Sequence, residues 1–255
     1  MLPYLESAII VLLCVALVLR IAHLLNHRLD EQSRKRANGV NGWQLGILGT
    51  IYAVALGFML SDAWLAYQTA TVDVREEAAA ASSIYRTSAL LPAACAGPLQ
   101  NAARGYVQTM ISTEWPSMAA RRPDWRGDSF VRQMWQAANA CGLSEVSGYD
   151  RDQMIRSLET LQARRDSRID DYDGHLPVMM WAVLLFGAVF VIAASCLLGN
   201  EKHSIHCFHV VSLTVLITVM LLAIADLDRP FDGATHIDSG AFRIVLDNIN
   251  HQPAA

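Results

Sequence analysis

The sequence predicts an all-α integral membrane protein, with four transmembrane helices and an extramembrane helical bundle between the second and third spans. Three observations carry that expectation. Four apolar runs, at roughly 4–25, 43–66, 176–198 and 208–226, each approach the ~20 residues a helix needs to cross a ~30 Å hydrocarbon core. The chain of 255 residues is 53% hydrophobic and only 17% charged, whereas about a quarter of residues are charged in soluble domains. No segment alternates apolar and polar residues as a half-buried strand does. Inside a bilayer each backbone polar group must be satisfied within its own segment, so single apolar runs form helices.

The first run lacks the basic start and small-residue cleavage site of a signal peptide, and its charge, Arg20, lies at the far end; it is read as a retained span. A short basic loop follows, with Arg28, Arg34, Lys35 and Arg36. The second span runs on through 68–91 without Gly or Pro until Pro92, so helix 43–91 is expected to be continuous. Further helices are expected over 98–120, 128–141 (N-capped by Asp128 or Ser129 and stopped by Gly142) and 148–173. Gly174 and Pro177 then lead into the third span, where a break or a kink are both compatible with the sequence. After the fourth span, DLDRPFDG reads as a turn. It precedes an amphipathic stretch with Phe242, Val245, Leu246 and Ile249 on one face, expected on the membrane surface or against the bundle. The resulting division is 1–67 (spans one and two), 68–174 (bundle), 175–226 (spans three and four) and 227–255 (tail).

Charge sets the expected orientation. The basic first loop and Lys202 in the loop between the last two spans belong in the cytoplasm by the positive-inside rule. The N-terminus, the bundle and the C-terminus of this multi-pass chain are then expected outside the cytoplasm. Cys95 and Cys141 are the two cysteines of the bundle. They are either a disulfide pair in an oxidising compartment or two unrelated buried thiols.

Within the second span, Gly49, Ala53, Gly57 and Ser61 recur at every fourth residue, with Gly46 alongside. Such a stripe permits close helix packing in lipid, where apolar surface alone gives little drive for association. It also suits the wall of a narrow lumen. Trp43, Trp64 and Tyr67 bracket the span as interface aromatics. That bracket sets Asp62 near the outer boundary, level with Asp226, Asp228 and Arg229 at the end of the fourth span, where the charges pair or ring an ion entrance. Arg20 either snorkels to the headgroups or attracts an anion.

His23 and His27, and His203 and Cys207, fall at i, i+4 on the same membrane side, but no tight zinc spacing links the two groups and no metal is expected. There is no nucleophile elbow, zinc-protease helix, phosphate loop or dinucleotide fingerprint, so neither an enzyme nor a cofactor is expected. Glu76 and Glu77 do not face each other on a helix and are read as salt-bridge partners in the bundle. A net charge of −4 argues against nucleic acid.

One group of residues resembles a known family. It comprises Gly49, Tyr52, Gly57, Phe58, Trp64, Tyr67, Val74, Glu77, Ala78, Tyr85, Arg86, Leu91-Pro92, Tyr106, Glu114-Trp115-Pro116 with Met118, and Asp226-Leu227-Asp228-Arg229-Pro230-Phe231 with Gly233. Together these residues, over about 43–235, resemble the bacterial four-span membrane proteins labelled bestrophin-like. The resemblance implies a homo-oligomeric anion channel whose second helices line the pore. The expected function is therefore a homo-oligomeric ion channel or ion-transport protein, partnered by lipid, by its own copies and by inorganic ions. The alternative is a non-conducting scaffold or envelope-stress sensor whose bundle binds a partner.

Overall fold

The computed structural model describes residues 2–28, 31–141, 148–198 and 203–251. Among the described residues every regular element is helical. The helices are α1 (Leu2–Arg28), α2 (Glu31–Ser88), α3 (Ala93–Thr109), α4 (Trp115–Ala119), α5 (Gly127–Ala140), α6 (Gly148–Asp170), α7 (Val178–Cys196), α8 (His203–Leu227) and α9 (Gly240–His251). A π-turn over Met110–Glu114 joins α3 to α4, and a 3-10 turn over Asp171–Asp173 ends α6. Among the described residues four helical segments are long and apolar enough to cross a membrane.

Helix α2 begins earlier than expected: most of the basic stretch after the first span is already helical. With no Pro between Glu31 and Ser88, nothing interrupts the i→i−4 ladder, and its 58 residues span roughly 87 Å at ~1.5 Å per residue. That is nearly three times the ~30 Å of a hydrocarbon core. The loop basic side chains Arg28, Arg34, Lys35, Arg36 and Lys202 lie outside the described residues.

The chain forms two units, 1–66 with 175–228, and 67–174 with 229–255. In the first, α1, the leading part of α2, α7 and α8 pack together. Tyr52 donates its hydroxyl to the Leu184 carbonyl at 3.0 Å. Its ring lies where Gly187 has no side chain: a Cβ on Gly187 would stand 2.5 Å from the ring. Leu56, Ala63, Leu184, Ala188, Ile217 and Ile224 complete this core. Val18 and Ala22 of α1 pack against Cys196 and Val210. Around the start of α7, the buried Asp228 carboxylate accepts the backbone N–H groups of His175 (2.9 Å) and Leu176 (2.8 Å) and the indole N–H of Trp181 (3.3 Å). The chain thus breaks at Pro177 instead of kinking, and α7 starts afresh.

In the second unit the trailing part of α2 packs with α3 to α6 and α9. Its core runs from Ala70, Val74 and Ala81 through Leu99, Tyr106 and Met110 to Met134, Leu158 and Leu161. The amphipathic tail packs here too: Phe242, Val245 and Ile249 of α9 are buried, and α9 contacts α3. Phe242 sits against Tyr106 and Trp115.

Candidate functional site

Two features stand out, one in each unit. In the second unit, α6 carries Met154, Leu158 and Leu161 on one buried stripe, at spacings of four and three. The same spacing continues to Arg165 and Arg168, both buried. On α2 the stripe Ala70, Val74, Ala81 and Ile84 is likewise interrupted by a charge, Glu77. Charges on a core seam demand partners, because removing an ion from water costs several kcal/mol even after relaxation.

The partners are close to ideal in geometry. Arg168 gives Nε to Glu77 Oε2 at 2.7 Å and Nη2 to Glu77 Oε1 at 3.0 Å, then reaches Glu114 Oε2 at 3.0 Å with the same Nη2. Arg165 forks onto Glu114, Nη1 to Oε2 and Nη2 to Oε1, each at 2.9 Å. Its Nε donates to Asp128 at 2.9 Å. Tyr106 donates its hydroxyl to Glu77. Burial first, and Glu77 beside it, hold the Tyr106 phenol well above its usual value near 10. The Arg168 guanidinium stacks 4.9 Å from the Trp115 ring centre. Asp128, 51% exposed, is where this lattice reaches the surface.

Local backbone makes the lattice possible. Pro116 has no N–H and its ring crowds the carbonyl four residues back. The helix answers with the wider turn over Met110–Glu114, in which the Trp115 N–H reaches back five residues to Met110. Tyr106, Met110 and Glu114 then lie on successive turns toward the arginines. Glu114 also accepts the Gly127 N–H at 2.7 Å, capping α5 from another helix. The expected caps do not serve: α5 starts at Gly127, ahead of Asp128 and Ser129. Asp128 is instead held by Arg165, and the Ser129 hydroxyl donates to the Arg126 carbonyl. Trp115 donates its indole N–H to the Ile237 carbonyl at 3.0 Å and meets Phe231 edge to face. Trp115 of the Glu-Trp-Pro segment thereby packs directly on Phe231. Beside it, Arg164 bridges Asp73 (2.8 Å) and Glu76 (2.7 Å). Cys95 and Cys141 are linked with Cα atoms 5.5 Å apart, tying the start of α3 to the end of α5.

The second feature is the opposite of buried. On α2, Gly46, Ala53, Gly57 and Ser61 are exposed and Gly49 is half-buried. A Cβ built on Gly46, Gly49 or Gly57 would meet nothing within 4 Å. The contrast with Gly187, whose missing Cβ is filled by Tyr52, separates a glycine needed by this chain's own packing from glycines that leave open space. The face of α2 that packs inside its own unit is instead Tyr52, Leu56 and Ala63.

The four charges expected at one depth divide among different tasks. Asp62 is exposed, 4.0 Å from His175. Asp226 is half-buried. Asp228 is occupied by two backbone donors ahead of α7 and by the Trp181 indole within it. Arg229 belongs to the second unit, in the electrostatic neighbourhood of Tyr172, Arg121 and Asp232. His23 is exposed and Cys207 half-buried, while the side chains of His27 and His203 lie outside the described residues. Among the described residues no three His, Cys, Asp or Glu side chains gather as metal ligands.

Sequence reading missed Arg165, Arg168 and Glu114 as a group. The signal was present: two arginines prolong an apolar stripe at its own spacing. Such a placement on a polar helix marks a buried pair.

Comparison with known proteins agrees with this architecture. The family model described as the bestrophin-like domain matches residues 12–242. No curated protein matches the chain. Among solved structures, a variant of a bacterial bestrophin homologue from Klebsiella pneumoniae is similar at a TM-score of 0.71 and 18% identity, over 96% of each chain. A second variant gives 0.69 and 14%, over 97% of this chain and 100% of the other. A third structure of that homologue gives 0.66 and 18%, over 95% and 98%. At these identities the likeness is one of fold.

Proposed function

The chain belongs to the bestrophin-like family, and from that premise we propose that it is a homo-oligomeric membrane ion channel with α2 at or beside the symmetry axis. The observation that carries this reading is the outer face of α2. Gly46, Gly49, Ala53, Gly57 and Ser61 leave a shallow, side-chain-poor strip, and among the described residues none fills the space beside its three glycines. In lipid, such a strip favours close approach of another helix or leaves a narrow lumen among several copies. We assign Asp62, exposed at the end of this strip, to the entrance. In this reading the protein moves inorganic ions and catalyses no reaction.

We place it in a bacterial inner membrane, with the N-terminus, the 67–174 bundle and the C-terminus outside the cytoplasm. The basic loops support that orientation, as does the Cys95–Cys141 link, since disulfides persist in oxidising compartments. The test of function is flux of small anions and cations through reconstituted liposomes. Flux that falls when Gly57→Trp fills the strip is expected. A well-formed oligomer that conducts nothing at any voltage or pH would sink the reading in favour of a scaffold.

A further inference from the structure

We propose that the groove between α1, α7 and α8 seats one acyl chain of an anionic phospholipid, with the phosphate toward Arg20. The groove, about 500 Å³, is lined along α1 from Ile10 to Ile21, along α7 from Trp181 to Cys196 and along α8 from Thr214 to Ala225. The α1 stretch corresponds to roughly 16 Å of helix at ~1.5 Å per residue. That is about half of the ~30 Å hydrocarbon core, the depth of one leaflet.

Chemistry selects an apolar occupant. The Thr214 and Thr218 hydroxyls that line the groove donate to the carbonyls of Val210 and Thr214, on their own helix. With those hydroxyls satisfied, an enclosed water would lack the two to four polar partners it needs. An empty groove would forfeit dispersion contacts along its whole length.

Two further observations choose a lipid chain over a second copy of the protein. Among the described residues none of α2 lines the groove, so it opens away from the strip through which copies meet; this step rests on the channel reading above. The two ends of the groove also differ in charge. At one end the lining residue Trp181 donates to the Asp228 carboxylate. At the other, Arg20 is exposed, immediately before the lining residue Ile21 and three residues after the lining residue Leu17. An anionic headgroup fits the Arg20 end, where a guanidinium on a long stem reaches the interface.

Native mass spectrometry of the detergent-purified oligomer, titrated with dioleoylphosphatidylglycerol or dioleoylphosphatidylcholine, tests the proposal. Saturable binding of one phosphatidylglycerol per chain is expected. Ala193→Trp, which fills the groove from an exposed lining position, should abolish it, and Leu17→Trp provides the same test should the first variant misfold. Arg20→Gln should weaken phosphatidylglycerol about fivefold and leave phosphatidylcholine unchanged. Equal retention of both lipids, or retention untouched by both tryptophan variants, overturns the proposal. So does a loss of oligomer mass in those variants in place of lost lipid. Lipid counting needs no conduction, so a silent oligomer that binds phosphatidylglycerol refutes the channel reading alone. A conducting oligomer that binds none refutes only the lipid site.

Discussion

Arg168 and Glu77, 91 residues apart in sequence, meet as a two-pronged pair with both side chains fully excluded from solvent. The pair joins α6 to α2, and Glu114 extends it to the π-turn. A buried pair of this kind adds little net stability compared with apolar residues of the same volume, yet breaking one side leaves an uncompensated ion.

Glu77→Gln or Arg168→Met should therefore destabilise the protein by about 3–5 kcal/mol. Glu77→Met with Arg168→Met should recover much of that loss, because the remaining Asp128–Arg165–Glu114 series keeps alternating charges. Arg168→Lys should stay destabilised, since an ammonium cannot reproduce the fork. Thermal melts of the detergent-solubilised variants, arranged as a double-mutant cycle, check all three. Additive losses would show that the residues do not act as a pair.

Gly127 packs against the lattice. A Cβ there would stand 2.7 Å from Glu114 Oε1 and 2.8 Å from Arg165 Nη1. Gly127→Ala should cost about 1–3 kcal/mol as an overpacked site. Gly148→Ala, with nothing within 4 Å, should stay within about 0.5 kcal/mol of the parent. Equal melting temperatures for the two variants would contradict this geometry.

The first unit supplies a matching contrast. Gly187→Ala should push Tyr52 aside and lose its hydrogen bond to Leu184, lowering the melting temperature. Gly57→Leu should leave the isolated chain nearly unchanged, because its neighbourhood is open, and should instead reduce the oligomer yield seen by size-exclusion chromatography with light scattering. A Gly57→Leu protein that assembles and conducts normally removes α2 from the axis.

Alkaline pH should act through Tyr106. Its phenol is raised well above 10 in the folded protein, so between about pH 10 and the folded value the unfolded chain releases a proton that the folded chain keeps. The stability present below pH 10 is then lost as pH rises. Tyr106→Phe should lose this dependence on Tyr106, along with about 1.5–3 kcal/mol from the lost hydrogen bond to the Glu77 carboxylate, whose oxygens both keep Arg168 as donor. Melting temperature against pH for parent and variant is the measurement.

The Cys95–Cys141 link closes a separation of 46 residues, worth about 4 kcal/mol on chain-entropy grounds. Dithiothreitol should lower the melting temperature, and a Cys95→Ser, Cys141→Ser double variant should melt low with or without it. Orientation is read on alkylated membranes: a linked peptide pair in unreduced digests supports an external bundle. Free thiols blocked only after spheroplast lysis would place it in the cytoplasm.

Four apolar runs, a Pro-free second helix and the absence of alternating segments were sufficient for the membrane class and the helical architecture, because lipid and backbone hydrogen bonding leave a single run no other conformation. The tail's amphipathic face was legible for the same local reason. What sequence periodicity did not disclose was partnership. Glu76 and Glu77, adjacent in sequence, take different arginines because consecutive residues on a helix point about 100° apart. Asp228, expected either to pair with the charges at its depth or to ring an ion entrance, is held by backbone donors of residues more than fifty positions away. Glu114 serves two arginines and a glycine N–H only because the π-turn alters the register before Pro116. Periodicity along one chain states which face of a helix is apolar. Which charges meet on that face depends on contacts between distant segments, and only the tertiary structure decides those.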